Sequence, residues 1–178
     1  SWEKAGDALE TDGAGAARMV FPIEVQGDYD FRVSFTRTTG QHSVALFFAT
    51  PEGQASFEAD AWGQGLAGIQ NIDGQSLKDN STRSEARLTN GQRHTMQVSV
   101  RGNKVRGYLD GEAIATYDGG SNLSLGQVWR VPNSRTLGLG AYQSATTFHS
   151  VELRPVKSTK IVAVTPGTTS RPAPTTPT

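Results

Sequence analysis

Two carboxylates stand two positions apart in the stretch FEADAW, Glu58 and Asp60. On a strand, residues i and i+2 share a face and lie about 6.5 to 7 Å apart. Cleavage of a glycosidic bond by paired carboxyl groups needs a separation of roughly 5 to 10 Å, so the spacing is compatible with that chemistry. Polar side chains also alternate in this way on any strand with one face in water. On that ground Glu58 and Asp60 are expected to form a solvated face, and no catalytic residue is assigned.

Other reactive groups are sparse. The histidines are His42, His94 and His149, and none is paired in H-x-H or H-x-x-x-H spacing, so a zinc site is not indicated. The chain has no cysteine, which excludes disulfides, thiolate metal sites and cysteine nucleophiles. No G-x-S-x-G elbow is present for a serine nucleophile. Glycine loops that cradle phosphate precede helices, whereas the glycines here separate strands. The stretch NIDGQSLKDN gathers Asn71, Asp73, Asp79 and Asn80, residue types suited to calcium. It lacks the ligand spacing and closing glutamate of an EF-hand loop, and an ordinary Asx-rich turn is expected. No metal and no cofactor is assigned.

What remains is a binding surface. Sugars are held by stacking a ring face on an aromatic and hydrogen-bonding the hydroxyls to planar polar groups. Trp62 (ADAWGQG) and Trp129 (GQVWRVPNS, followed by Arg130) fall in loops, where they either serve as binding platforms or seal the ends of a core. Arg106 and Tyr108 share one strand face, opposite Val105 and Leu109, and Tyr142 stands on the glycine side of a late strand. The candidate ligand patch is therefore Trp62, Arg106, Tyr108, Trp129, Arg130 and Tyr142.

The elements that must position these residues are strands. YDFRVSF (Tyr29 to Phe35) alternates strictly between apolar and polar side chains, as a half-buried strand does. HSVALFFAT (His42 to Thr50) is continuously apolar and fits a central strand, and GQASFEADAW (Gly53 to Trp62) follows across Pro51-Glu52-Gly53. Between Gly63 and Asn90 the chain is rich in Gly, Asn, Asp, Ser and Gln, consistent with long loops and one short strand near Leu66 to Ile69. A meander follows: RHTMQVSVRG, then KVRGYLD, then GEAIATYD. In the stretch VRGYLDGEAIATYD, Asp110-Gly111 reads as a two-residue type I′ hairpin turn and Glu112 as a solvated strand start. RTLGLGAYQ alternates Leu137 and Leu139 with Gly138 and Gly140, a bare face that admits another backbone, an aromatic ring or a ligand. TTFHSVELRPV closes the series.

Composition agrees. The chain has 178 residues, enough for one domain, with 20 glycines and formal charges that cancel. No basic stripe or polybasic patch points to nucleic acid or anionic lipid, and no apolar run approaches the roughly 20 residues of a membrane span. The chain begins at Ser1 without Met and is read as a mature or excised fragment. These patterns predict an all-β, two-sheet antiparallel sandwich of jelly-roll type over residues 1–156, an extra strand or linker at 157–165, and a Pro/Thr-rich tail at 166–178.

GDYDFRVSF, QVSVRGNKVRGYLDGEAIATYD and LGLGAYQSATTFHSVELRPV, in that order, resemble the concanavalin A-like (laminin G-like) jelly rolls. Within them the likeness is to bacterial, planctomycete-type domains similar to the 3-keto-disaccharide hydrolase group. The resemblance implies the sandwich fold and leaves function open, because the same sandwich serves lectins, adhesion modules and hydrolases. Hydrolases of this fold that carry a strand-borne carboxylate pair show an E-x-D-x-x-E pattern, and here position 63 is glycine. Three expectations stand. The first is a non-catalytic extracellular or cell-surface module that binds a glycan or another surface protein. The second is a surface-layer or filament subunit that self-associates through residues 158–164. The third is a hydrolase-like enzyme.

Overall fold

The computed structural model describes residues 1–156 and 158–164. In chain order the strands are β1 (Trp2–Ala5), β2 (Ala8–Asp12), β3 (Ala16–Gln26), β4 (Tyr29–Arg37), β5 (Val44–Thr50), β6 (Gly53–Ala61), β7 (Leu66–Gln70), β8 (Ser84–Glu85), β9 (Arg93–Arg101), β10 (Lys104–Leu109), β11 (Glu112–Tyr117), β12 (Thr136–Tyr142), β13 (Ala145–Pro155) and β14 (Lys160–Ala163). They form two seven-stranded antiparallel sheets. The first has the order β1-β2-β13-β4-β9-β10-β11 and the second β14-β3-β12-β5-β6-β7-β8. This is the expected all-β sandwich.

The alternation read in β4 is the packing rule of the molecule. Tyr29, Phe31, Val33 and Phe35 are buried, and meet Val44, Leu46, Phe48, Phe57, Ile69, Leu137 and Leu139 from the second sheet. Each large side chain removed from water in this way contributes about 1.5–3 kcal/mol. Asp110 and Gly111 both have positive φ (50° and 83°), as the turn between β10 and β11 requires. Asp110 has a second task as well: it accepts the Thr95 amide at 2.8 Å and lies 2.7 Å from His94 Nδ1. His94 Nε2 accepts from the Thr89 amide, so Nδ1 carries the proton and donates to Asp110.

β5 and β12 are buried on both faces. Between β11 and β12 the chain runs back over the outer side of the second sheet, where Trp129 joins Ala45 and Phe47 in a small separate core. The glycine face of β12 exists for these rings. A Cβ on Gly140 would lie 2.7 Å from the Trp129 ring, and one on Gly138 2.7 Å from Phe47. Of the occupants that a bare strand face admits, the one present is an aromatic ring.

β14 pairs with β3 of the same chain, from Lys160 opposite Gln26 to Ala163 opposite Ile23, and forms one edge of the second sheet. The Pro/Thr-rich stretch 166–178 lies outside the described residues. In the loop NIDGQSLKDN, Asn80 and Asp73 bond to the chain itself. Asn80 Nδ2 donates to the Ile69 and Gln75 carbonyls, its Oδ1 accepts from Thr82, and Asp73 accepts the Asn122 amide.

Candidate ligand-binding site

In β6, Ala55, Phe57 and Ala59 face the core, so Ser56 and Glu58 point to the outer side of the second sheet. Ala45 is the residue beside Glu58 on β5 and leaves room for the carboxylate. That outer side is not solvent. Glu58 is 2% exposed, because the 119–135 segment carries Trp129 over it. Its Oε1 accepts from Ser43 Oγ at 3.0 Å, and its Oε2 accepts from Ser56 Oγ at 2.6 Å, Gln70 Nε2 at 3.0 Å and Trp129 Nε1 at 3.3 Å. No lysine, arginine or histidine of the described residues is ion-paired with it. Burial pushes the Glu58 carboxyl above the usual glutamate range, opposed by the hydrogen bonds it accepts.

The expectation of a solvated face at Glu58 and Asp60 is therefore overturned, and so is their sharing of a face. β6 bulges after Glu58, and Asp60 adopts φ 56°. The bulge turns its carboxylate to Arg37, 3.0 Å away, with both side chains buried. Asp60 also accepts the Gly65 and Leu88 amides. Arg37 is held in turn by Asn90 Oδ1 and by the carbonyls of His42 and Leu88. Asp60 is thus committed to an ion pair, while Glu58 stands alone beside a pocket.

The pocket has a volume of about 320 Å³, within the range of small-molecule sites. Glu58, Ser43 and Gln70 supply its polar base, and Trp62, Trp129, Tyr142 and His42 its aromatic wall. Trp129 is fully buried, 5.3 Å from the Phe47 ring and edge-on to Tyr142, so its contribution is the indole N–H on Glu58. Trp62 is 38% exposed, with the Lys78 ammonium 5.1 Å from its ring centre. Tyr142 lies 4.3 Å from the His42 ring. Burial pushes the His42 imidazole down, with Asp60 acting upward and Arg37 downward. Its Nδ1 accepts the Ser43 amide, which leaves the ring proton on Nε2.

The pocket thus brings together Trp62, Trp129 and Tyr142 from the candidate patch. Arg130 is exposed beside Trp129, and its carbonyl accepts from Arg18. Arg106 and Tyr108 lie elsewhere. Gly107 between them faces Phe57 in the core, so both project from the outer face of the first sheet, where Arg106 pairs with Asp118 at 2.9 Å. Strand alternation tells inside from outside but not which sheet a strand joins. Glu58, His42, Ser43 and Gln70 were not in the patch. The signal for them was a run of polar side chains on a strand flanked by apolar ones.

The raised Glu58 carboxyl has a stability consequence. A folded-state value above the unfolded one adds stability at acid pH, and that stability is lost as pH climbs through the folded value. Glu58→Gln is expected to match the wild type near the acid end and to overtake it as pH rises toward neutral. Chemical denaturation of both proteins across that range checks it. A difference between them that does not change with pH contradicts it.

Together, fold and site define a two-sheet antiparallel β-sandwich with a pocket on the outer face of one sheet. No family model matches the sequence, and no curated protein does. Solved structures do match. The carbohydrate-binding module CBM66 from Bacillus subtilis superposes with a TM-score of 0.65 at 13% identity, covering 87% of this chain and 91% of that one. The VIP36 exoplasmic/lumenal domain in its Ca2+/Man-bound form has a TM-score of 0.59 at 10% identity, covering 92% and 87%. A putative glycosyl hydrolase from Parabacteroides distasonis has a TM-score of 0.54 at 11% identity, covering 87% and 90%. At these identities the likeness establishes the fold.

Proposed function

We propose that the chain is a non-catalytic, extracellular or cell-surface module that binds carbohydrate in the Glu58 pocket. The observation that carries this is a buried carboxylate at the base of an aromatic-walled pocket of single-sugar scale. A sugar ring lays its C–H face against Trp62 and Tyr142 and turns its hydroxyls to Gln70, Asn71 and Glu58. A carbohydrate-binding module and a mannose-bound domain among the structural neighbours support the reading. Capture of Asp60 by Arg37 favours binding over the hydrolase alternative, since it withdraws the second carboxylate of the FEADAW pair.

The test is a glycan array followed by titration of the hits. Trp62→Ala is expected to weaken binding about tenfold or more with little change in melting temperature, because the ring is partly exposed. Binding that survives Trp62→Ala and is lost in Tyr108→Ala would move the site to the first sheet and refute this assignment. The filament reading rests on β14, an edge strand whose Ile161 and Val162 are 47% and 38% exposed. Light scattering of the full chain and of one ending at Val156 decides it: self-association that requires the C-terminal segment supports a structural subunit.

A further inference from the structure

The base of the pocket has an imbalance of charge and of hydrogen-bonding capacity. Its donors are largely spent, since the Ser43 and Ser56 hydroxyls, Trp129 Nε1 and one of the two Gln70 Nε2 hydrogens serve the Glu58 carboxylate. Its acceptors are not. Glu58 Oε1 has a single donor, and Gln70 Oε1 is buried with none. A buried carboxylate without a counter-charge is costly unless it stays protonated or a cation reaches it. No lysine or arginine of the described residues lines this pocket, and the histidine there is pushed toward the neutral form. Among the described residues, the arginine bonded at its margin, Arg37 through the His42 carbonyl, is neutralised by Asp60.

An ammonium group carries three donors, no acceptor and a positive charge, so it satisfies what this base lacks. A hydroxyl gives one donor and leaves the charge uncompensated. The wall suits the same ligand, since aromatic faces attract cations, and Lys78 already sets an ammonium over Trp62. Resting on the carbohydrate reading above, we infer that the pocket selects an amino sugar with a free ammonium group, for which Glu58 is the counter-charge and Gln70 Oε1 a second acceptor. Trp62 and Tyr142 hold the sugar ring while its nitrogen points to the base.

Calorimetric titration of the full chain at neutral pH tests this with three oligosaccharides of equal length: β-1,4-linked glucosamine, its N-acetylated counterpart and the corresponding glucose oligomer. The glucosamine oligomer should bind about tenfold tighter than the other two. Glu58→Gln should erase that margin, bringing the glucosamine oligomer to the affinity of the glucose oligomer measured on the same variant. Equal affinity across the three ligands, or a margin that survives Glu58→Gln, overturns the inference. The ligand series on the wild type decides the matter even if the variant does not fold. If neutral glycans on the array bind through Trp62 while the glucosamine oligomer does not, the amino-sugar inference falls and the carbohydrate reading stands. If no glycan binds, both fall.

Discussion

Trp129→Ala should cost stability and ligand binding together, with a larger effect than any other single replacement at the pocket. The indole is fully buried, fills the bare face of β12 above Gly140 and packs against Phe47. Removing a buried tryptophan destabilises by about 3–5 kcal/mol through lost transfer energy and the cavity left behind. For a domain of this size that is a fall in melting temperature of about 10 °C or more. Binding falls for a different reason: Glu58 loses a donor, and the segment that closes the pocket loses its anchor. Trp129→Phe separates the two. It keeps most of the packing but removes the N–H, so it should cost about 1–3 kcal/mol and still impair binding. Melting curves and titrations of both variants check this. Trp129→Ala melting within about 2 °C of the wild type would mean that the small core on the outer face contributes little.

Asp60→Asn should be nearly as damaging, although the residue touches no ligand. Asparagine tolerates the positive φ at this position, so the backbone is spared, while the charge is lost together with one of the two acceptor oxygens that serve the Gly65 and Leu88 amides. Arg37 is then left buried and unpaired, and breaking one side of a buried ion pair costs about 3–5 kcal/mol. Arg37→Met combined with Asp60→Asn removes both charges and should recover part of that loss. The pocket is affected at one remove, because the Arg37 guanidinium holds the carbonyl of His42 on the pocket wall. Affinity should weaken severalfold in Asp60→Asn, beside the larger drop in stability. Denaturation of the two single variants and the double variant gives the coupling directly. Equal and additive losses would show that the pair does not act as a unit.

Much of the sandwich could be read from local pattern. The alternation of YDFRVSF, the Asp-Gly turn and the glycine face of LGLG each follow from residues a few positions apart, and each appears as expected in β4, at Asp110-Gly111 and in β12. The first three strands were not read. β1 and β2 are short and polar, and β3 mixes exposed and half-buried positions with no clear period. The pocket was legible in its aromatic wall and not in its base. What buries Glu58 is Trp129, 71 positions further along the chain, and no window of sequence holds both. A single bulge then rotates Asp60 away from Glu58, where strict period-2 alternation keeps them together. The same limit applies to Arg106 and Tyr108: they share a face, as the alternation has it, but that face belongs to the first sheet and the Trp62 pocket to the second.

The most direct measurement follows the indole N–H signals of Trp2, Trp62 and Trp129 by nuclear magnetic resonance while glycan is added. Trp2 Nε1 donates to the Arg18 carbonyl and does not line the pocket, whereas Trp129 Nε1 donates to Glu58 at its base. The account predicts saturable shifts of the Trp62 and Trp129 signals with the Trp2 signal fixed. Binding that leaves Trp62 and Trp129 unmoved would place the ligand elsewhere and contradict it.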